Sequence, residues 1–404
     1  MLFGHLQMEE VITVVNHSIL KNKQFLSIFL IAFLVYFSNA MLAQTLPKYA
    51  YDLGATSQII GLLSGIFAMC ALLLRPVSGQ LVDNEDRKLL LRITIGIILV
   101  SVTGLTFAKQ VWLLIVFRGI NGLGWGIGST LCMTIASSCF TKERLGSGIG
   151  LYGLGQTIAQ ATAPMIGLTV AQAYGYNFLY QFNVIICAAA FALTYFIKID
   201  TPLKKERKYS VNLKEMVCLP AITPSAVTLC NSIAQSSITA FLVIFANSIS
   251  VTQISVFFTI QAATVLFTRP FWGKLTDKYG CLKIIIPCEI LIALGLLDIF
   301  FSHTLWQFIV AAVLVGAGTA GDQPVLMSEC IRRAPSDQRG RASNTSYMEI
   351  DIGGFVGSNL AGLVVTLVGY RNLYLIFMLP IIIATIIYTI SDKRRAHRLQ
   401  IIQS

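Results

Sequence analysis

The sequence is poor in charged residues. Of its 404 residues only 12% are Asp, Glu, Lys or Arg, whereas 55% are hydrophobic, and the mean hydropathy is +0.72. A soluble globular domain carries about 25% charged residues. This shortage argues against a soluble domain and predicts an integral membrane protein. The net charge of +11 does not indicate nucleic acid as a partner, because the basic residues are spread over many short loops.

Histidine and metal-type cysteine patterns are also scarce. The four histidines, His5, His17, His303 and His397, lie in the tails or at the end of an apolar run, which argues against a histidine proton relay inside a membrane. The nine cysteines show no metal-like spacing, so we interpret them as small core residues and expect no metal site.

Nucleotide-binding and protease motifs are missing or out of context. No Gly-x4-Gly-Lys-Ser/Thr sequence is present, so ATP hydrolysis is not supported. The Gly-x-Gly-x-x-Gly pattern at 148–153 follows a basic loop, whereas a dinucleotide fingerprint follows a strand. Tyr51-Asp52 and Gly318–Asp322 have the wrong spacing for an intramembrane aspartyl protease. We predict a protein that is not an enzyme and needs no cofactor.

Twelve apolar runs occupy most of the chain, and each is long enough to span a bilayer, which takes about 20 residues. We therefore predict an all-α transmembrane fold of twelve helices. A cleaved signal peptide in the first run is disfavoured, because the repeat described below pairs that run with the seventh. The runs cover about 25–47, 57–80, 89–108, 111–138, 147–172, 178–198, 221–247, 253–276, 282–303, 306–331, 341–368 and 372–391.

The two halves of the chain repeat each other. The stretch from Arg75 to Asp83 returns as Arg269 to Asp277, at an offset of 194 residues (269 − 75), with Arg, Pro, Gly, Leu and Asp in the same places. An internal repeat of this length indicates two halves of like architecture. The same offset relates Gly122, Gly124, Gly146, Gly175-Tyr176 and Tyr180 to Gly316, Gly318, Gly340, Gly369-Tyr370 and Tyr374.

Basic residues predict the topology. Of the 30 Lys and Arg, Lys48, Lys109 and Arg371 are the ones assigned to the outer loops, which places both termini in the cytosol. We divide the chain into an N-terminal segment (1–24), a six-helix half (25–198), a basic linker (199–220), a second six-helix half (221–391) and a tail (392–404). The start is either Met1 or Met8. The predicted location is the cell (plasma or inner) membrane.

The recurring loop carries a resemblance to a known family. Gly-x-x-x-Asp followed by basic residues, between runs 2 and 3 and again between runs 8 and 9, resembles the signature loop of the major facilitator superfamily. The resemblance covers nearly the whole chain and implies two pseudo-symmetric six-helix halves around a central cavity. It departs at Asn84 and Asp86, where the family usually has a basic residue and glycine, and at Cys281 and Leu282, where it has basic residues.

The resemblance assigns a mechanical role to this loop. Glycine permits close helix contact, and the carboxylate of Asp83 would cap the N-terminus of helix 11, near Arg341, as a latch between the halves that is closed when the cavity faces outward. Asp277 would be a weaker copy. The Arg-Pro before each glycine resembles a branch of bacterial efflux-type members. The predicted latch residues are Arg75, Gly79, Asp83, Arg87, Lys88, Arg269, Gly273 and Asp277.

Runs 4 and 5 carry two further resemblances. Arg118 lies about 9 Å deeper than Trp112 at 1.5 Å per residue, so it should face a watery cavity or a partner. Its segment resembles the helix 4 motif of proton-linked members, whose arginine tunes proton binding; a snorkelling arginine is the alternative. Run 5 resembles the antiporter motif, although alanine and leucine replace some glycines, and it would pack against the other half; a general small-residue seam is the alternative. Its residues are Gly150, Ala163, Pro164 and Gly167.

Five carboxylates lie well inside the apolar runs, all of them in the second half: Glu289, Asp298, Asp322, Glu349 and Asp351. Intramembrane acids are functional candidates, and burial raises the pKa of a carboxyl group in general, which permits proton exchange near neutral pH. The resemblance places helices 10 and 11 nearer the cavity than helix 9. We predict that Asp351 or Asp322 carries a proton, with Glu349 as a further candidate and Arg118 biasing proton release; structural acids are the alternative.

These observations predict a secondary transporter that works by alternating access, most simply proton-coupled efflux of a small amphipathic drug, metabolite or metal chelator. Uptake of a nutrient and a non-transporting sensor are the alternatives. The expected partners are the small-molecule substrate, protons and the lipid bilayer, with the proton gradient as energy source and a monomer as the working state. The candidate cavity-lining residues are Tyr36, Asn39, Gln44, Asn231, Gln235 and Gln261.

Overall fold

The computed structural model describes residues 22–140, 145–197, 199, 217–335 and 338–403. Within these ranges the side chains of residues 79, 80, 83, 84, 145–147, 277, 282, 339, 340, 343 and 392–403 are outside the description. The described chain is helical throughout, apart from short connections. The predicted N-terminal segment and linker therefore lie almost wholly outside the described residues.

The helices follow the apolar runs in order. The first half contains α1 (Lys23–Asp52), α2 (Ser57–Asn84), α3 (Arg87–Phe107), α4 (Val111–Ser138) and the segment Leu145–Phe196, which breaks at Gly175 into α5 (145–174) and α6 (176–196). The second half contains a short 3₁₀ turn (Leu219–Ala221), α7 (Ile222–Ser248), α8 (Ser255–Tyr279), α9 (Cys281–Phe301), α10 (Leu305–Arg333), α11 (339–368) and α12, which begins at residue 370 and continues past a turn at Phe377 as Met378–Gln403.

Most of these helices are long and apolar enough to cross a membrane. Within the described ranges nine stretches meet both criteria, and two of them, Gly148–Phe196 and Asn344–Ser391, contain the breaks at Gly175 and Gly369 and so supply two passes each. Helix α8 is more polar and supplies a further candidate pass. The chain is therefore a multi-pass membrane protein, in agreement with the predicted twelve-helix bundle. Helix α1 runs five residues past the predicted end, because Pro47 is accommodated inside it.

Equivalent positions of the repeat make equivalent contacts. A Cβ on Gly122 would meet the backbone of Phe67, and a Cβ on Gly316 would lie 2.6 Å from the carbonyl oxygen of Gln261, the residue 194 positions after Phe67. These close approaches hold α4 on α2 and α10 on α8 by the same means, since only glycine lets the backbones come so near. The internal repeat read from the sequence is thus present in three dimensions.

The connections at the two ends also follow the repeat, with one informative exception. Gly175 and Gly369 both adopt φ of 82–83°, the left-handed region that favours glycine, and separate α5 from α6 and α11 from α12. Before α9, Gly280 has φ 83°. Its counterpart Asp86 instead caps α3, accepting hydrogen bonds from the backbone of Lys88 at 2.7 Å and of Leu89. This accounts for Asp86 where the family pattern has glycine.

The halves meet mainly along α2 with α11, α5 with α8 and α1 with α7, and α2 also touches α7. The closest approaches lie toward the predicted outer end, where a Cβ on Gly362 would be 2.5 Å from the carbonyl oxygen of Ser57. Toward the predicted cytosolic end, Gly150, Gly153 and Gly273 have no atom within 4 Å of the position a Cβ would take. The described close backbone approaches between the halves therefore lie at the predicted outer end.

Candidate functional site

A buried ion pair joins the two halves. The Arg75 guanidinium on α2 donates from Nε to Oδ2 of Asp351 on α11 at 2.7 Å, and both side chains are about nine-tenths buried (9% and 10% exposed). Arg75 also donates from Nη1 to Oγ1 of Thr130 on α4, at 3.3 Å, and lies 5.4 Å from the ring centre of Tyr347. Two separate predictions, a latch residue and a proton-binding acid, therefore meet in one contact between the halves.

A second polar cluster lies inside the C-terminal half. Asn231 on α7 donates through its side-chain amide to Glu289 Oε1 on α9 at 2.8 Å and to Asp322 Oδ2 on α10 at 2.6 Å. Glu289 and Asp322 are 1% and 4% exposed, and their carboxyl groups are within hydrogen-bonding reach of each other. The cluster thus holds two carboxyl groups side by side in an apolar interior.

Arg118 lies in the N-terminal half, and among the described side chains no carboxylate forms an ion pair with it. It is 5% exposed and donates to the amide oxygens of Asn39 at 3.1 Å and Asn121 at 3.2 Å. Its guanidinium lies 4.0 Å from the ring centre of Phe67, a favourable cation–π distance. The predicted link from Arg118 to the acids is therefore not a direct contact. A cavity of about 30 Å³ beside it is lined by Leu42, Ala43, Leu46, Pro47, Leu63, Ser64, Arg118 and Thr239.

The other candidate cavity residues have mixed surroundings. Tyr36 is half-buried, with its ring 4.7 Å from that of Trp125. Gln44 on α1 is buried, and its Oε1 has no hydrogen-bond partner among the described residues. Gln235 and Gln261 are half-buried, and Gln261 packs through its backbone against Gly316. Asn39 and Asn231 therefore hydrogen-bond to charged groups, Tyr36 packs on Trp125, and the glutamines make no described side-chain contact with the charged groups.

The latch residues are only partly described. The surroundings of Gly79 and the side chains of Asp83 and Asp277 are outside the described set, so the predicted contact of Asp83 with the start of α11 stays a prediction. Arg87 donates to the carbonyl oxygen of Val82 and Lys88 to that of Tyr195, both within the N-terminal half. Arg269, the repeat partner of Arg75, is half-buried, and within the described part of the chain it has no ion pair.

The small residues of α5 have several different neighbours. Ala163 and Pro164 are buried, and a Cβ on Gly167 would lie 2.6 Å from Cγ of Met41 on α1, in the same half. Gly150 faces open space. The described side-chain contacts of α5 with the other half instead involve Thr259, which donates to the Ala161 carbonyl, and Gln172, which donates to the carbonyl of Thr252. Gly167 therefore packs against α1 in the same half, whereas the described contacts with the other half come from Ala161 and Gln172.

Glu289 lies in a different environment from the one that its helix suggested. The family resemblance placed Glu289 on a helix outside the cavity, yet the side chain points inward to Asn231 and Asp322. The signal that would have raised its rank is the repeat itself: the counterparts of Asn231, Glu289 and Asp322 are Phe37, Ile95 and Gly128, so three polar residues appear together in one half. Glu349 is half-buried and has no described ion pair.

The fold and site together define a class. Two pseudo-symmetric helical halves in close backbone contact, with buried charges between and within them, have the architecture of a secondary transporter. The major facilitator superfamily model matches residues 28–223 and 225–402, and the chain therefore belongs to that family. It is a transporter and not an enzyme.

Known relatives and structures agree with this assignment. The chain is 23% identical over 367 residues to the multidrug resistance proteins MdtG of Salmonella schwarzengrund (strain CVM19633) and Salmonella typhi, covering 87% of this chain and 90% of each relative. Among solved structures it is similar to the nucleoside transporter NupG (TM-score 0.75, 13% identity, 92% of this chain and 99% of that one). A bacterial homolog of the human lysosomal transporter Spinster, in an inward-facing and unoccupied conformation, has a TM-score of 0.71 at 14% identity, covering 91% of this chain and 96% of that one. At such identities the structures show the fold alone.

Proposed function

We propose that this transporter exports a small amphipathic molecule in exchange for protons. The observation that carries the proposal is the Arg75–Asp351 ion pair between the halves. Alternating access requires the contacts between α2 and α11 to change. Protonation of Asp351 removes its negative charge and weakens the pair, so proton binding would favour separation of the halves at this level. Asp351 therefore couples protonation to conformation.

The substrate would bind between the halves, in the region of Arg118. Tyr36, Phe67 and Trp125 supply aromatic surface there, and Asn39 and Arg118 supply hydrogen-bond donors and acceptors. Aromatic walls with few polar groups suit a molecule with an apolar body and a polar group. The relatives named as multidrug resistance proteins support efflux of such compounds. The proton gradient is the energy source, and the working unit is a monomer in the cell membrane with both termini in the cytosol.

The first test is proton flux in inside-out vesicles that hold an acid-interior gradient. Cationic, neutral and chelating compounds are added in turn to wild-type protein and to Asp351→Asn. We expect at least one compound to release protons with wild type and none to do so with the variant, because asparagine cannot exchange a proton. Asp298→Asn, an acid on α9 away from the interface between the halves, is the matched control and should behave as wild type.

The outcome also decides direction. If none of the compounds triggers proton release but whole cells take up a solute, proton-coupled import would replace efflux as the proposed function. No proton flux and no uptake, from protein that is folded and inserted, would favour a sensor. Full proton-coupled transport by Asp351→Asn would remove this residue from the mechanism and move attention to the other acids.

A further inference from the structure

The cluster at Glu289 contains acceptors without donors. Oε2 of Glu289, Oδ1 of Asp322 and Oδ1 of Asn231 are buried and have no hydrogen-bond partner among the described residues. Leaving a buried acceptor unpaired costs about 1–3 kcal/mol, and more if it is charged. Three such atoms on three residues of one cluster imply that the site takes up something that donates hydrogen bonds or carries positive charge.

The described surroundings contain no cation to balance two carboxylates. The titratable groups that face the cluster are the thiols of Cys230 on α7 and Cys288 on α9, and Glu349 faces Cys230 from α11. The part of α12 beside Glu289 presents isoleucines and Thr385. Asn231 gives one hydrogen bond to each carboxyl group, but it carries no charge. Two carboxyl groups in contact in an apolar interior do not both ionise, so one proton is required.

We infer that Glu289 and Asp322 share a single exchangeable proton, held between Glu289 Oε2 and Asp322 Oδ1 and oriented by Asn231. The pair would be the second protonation site of this transporter, within one half, beside Asp351 between the halves. A role of this pair in transport rests on the proposed function. The sharing of a proton by the two carboxyl groups does not depend on it. Glu289 is thereby a functional residue on a helix of the outer ring.

The repeat argues against a purely structural role. The counterparts of the three residues, Phe37, Ile95 and Gly128, occupy the same places in the N-terminal half. Ile95 is buried there, and the same helix pairs pack without any carboxyl group. The fold therefore does not need acids at these positions, and replacing a buried polar cluster by apolar residues is often neutral or stabilising. Because the two buried carboxyl groups lower stability and the fold does not require them, we interpret them as functional residues.

The lipid-facing surface gives a way to test the protonation state. A cavity of about 180 Å³ between α9 and α12 is apolar, and Glu289 contributes to its wall. A hydrophobic carbodiimide such as dicyclohexylcarbodiimide reaches carboxyl groups from the membrane. The protonated acid adds across one C=N bond, its proton going to nitrogen and its oxygen to carbon, and the adduct rearranges to a stable N-acylurea. The other lining residues are Ile290, Ala293, Ile381, Ile382, Thr385 and Ile386.

The experiment labels the protein in lipid nanodiscs with this reagent over a range of pH and locates the adduct by peptide mass spectrometry. In wild type we expect Glu289 to be labelled at neutral pH. In Asp322→Asn the neighbouring negative charge is gone, so the pH midpoint of labelling should fall by about 1 pH unit or more. Asp298→Asn, on the same helix, should leave the Glu289 profile unchanged.

Infrared titration of the wild type supplies a measurement that needs no variant. One protonated carboxyl band should disappear with the same midpoint as the labelling. Glu289 that stays unlabelled at every pH, or an Asp322→Asn midpoint equal to that of wild type, would overturn the shared proton. Protection of Glu289 by Na⁺ would show a metal-cation site instead. Because none of these readouts needs a substrate, they separate this inference from a failure of the proposed transport.

Discussion

Arg75 and Asp351 are 276 positions apart in the chain, yet their side chains form a 2.7 Å ion pair that connects the two halves of the bundle. The repeat puts Arg269 and Thr157 at the corresponding positions of the other interface, so the carboxylate is present on one side only. The molecule is therefore symmetric in its helices and asymmetric in its charges. That asymmetry gives one interface between the halves a response to protonation that the other lacks.

Loss of either Arg75 or Asp351 should destabilise the contact between α2 and α11. We expect Arg75→Gln and Asp351→Ala each to lower the free energy of unfolding, because removing one member of a buried ion pair costs about 3–5 kcal/mol. The exchanged pair, Arg75→Asp with Asp351→Arg, should recover part of that loss. The measurement is thermal unfolding in detergent, analysed as a double-mutant cycle. Additive single effects would mean that the two groups do not interact in the folded protein.

The glycines at the predicted outer end should hold the halves together. A Cβ on Gly362 would meet the Ser57 carbonyl at 2.5 Å and Gln58 Cα at 3.0 Å, both backbone atoms that cannot move aside alone. We expect Gly362→Val to separate the halves there and to favour the outward-facing state. Spin labels on the exposed residues Tyr174 and Trp306, in a background without native cysteines, should report a longer distance.

A matched control is available for that measurement. Gly153 has no atom within 4 Å of a Cβ position, so Gly153→Val should leave the distance between the labels unchanged. Equal distances in wild type and Gly362→Val would show that the outer contact is not what closes this end.

Replacing the glycine at either helix break, Gly175 or Gly369, should lower the stability of the protein by a similar amount. Gly175 and Gly369 have φ near 82–83° and no atom near the Cβ position, so an alanine there is strained by its backbone alone. We expect Gly175→Ala and Gly369→Ala each to lower stability by about 1–3 kcal/mol, measured by thermal unfolding. Gly153→Ala, inside a helix and in open space, should be neutral or slightly stabilising. A large difference between the two variants would mean that the breaks are not equivalent.

The topology is testable with an impermeant thiol reagent on intact cells. Lys109 and Lys283 are both exposed and lie at opposite ends of the bundle. With native cysteines replaced, we expect Lys109→Cys to react from outside and Lys283→Cys to react only after the membrane is opened, because the excess of Lys and Arg marks the cytosolic side. The reverse pattern would invert the predicted orientation.

Helix positions were predictable because each follows from a local requirement. Lipid demands about 20 apolar residues for every pass, and the break residues Gly175 and Gly369 stand at fixed places in the repeat. The proximity of Arg75 to Asp351 was not predictable, since it depends on how α2 and α11 rotate about their axes. The same holds for Gly167, whose contact with Met41 depends on which neighbour α5 faces.

By itself the sequence determined the class of this protein: a membrane-embedded bundle of two like halves, recognisable from apolar run length and a constant offset, both of which are one-dimensional properties. Only the tertiary structure decided which acid meets which partner. Asp351 meets Arg75 across the interface, whereas Asp322 meets Glu289 and Asn231 inside one half. The physical reason is that a side chain's charge balance depends on the depth and rotation of several helices at once, and no single apolar run carries that information.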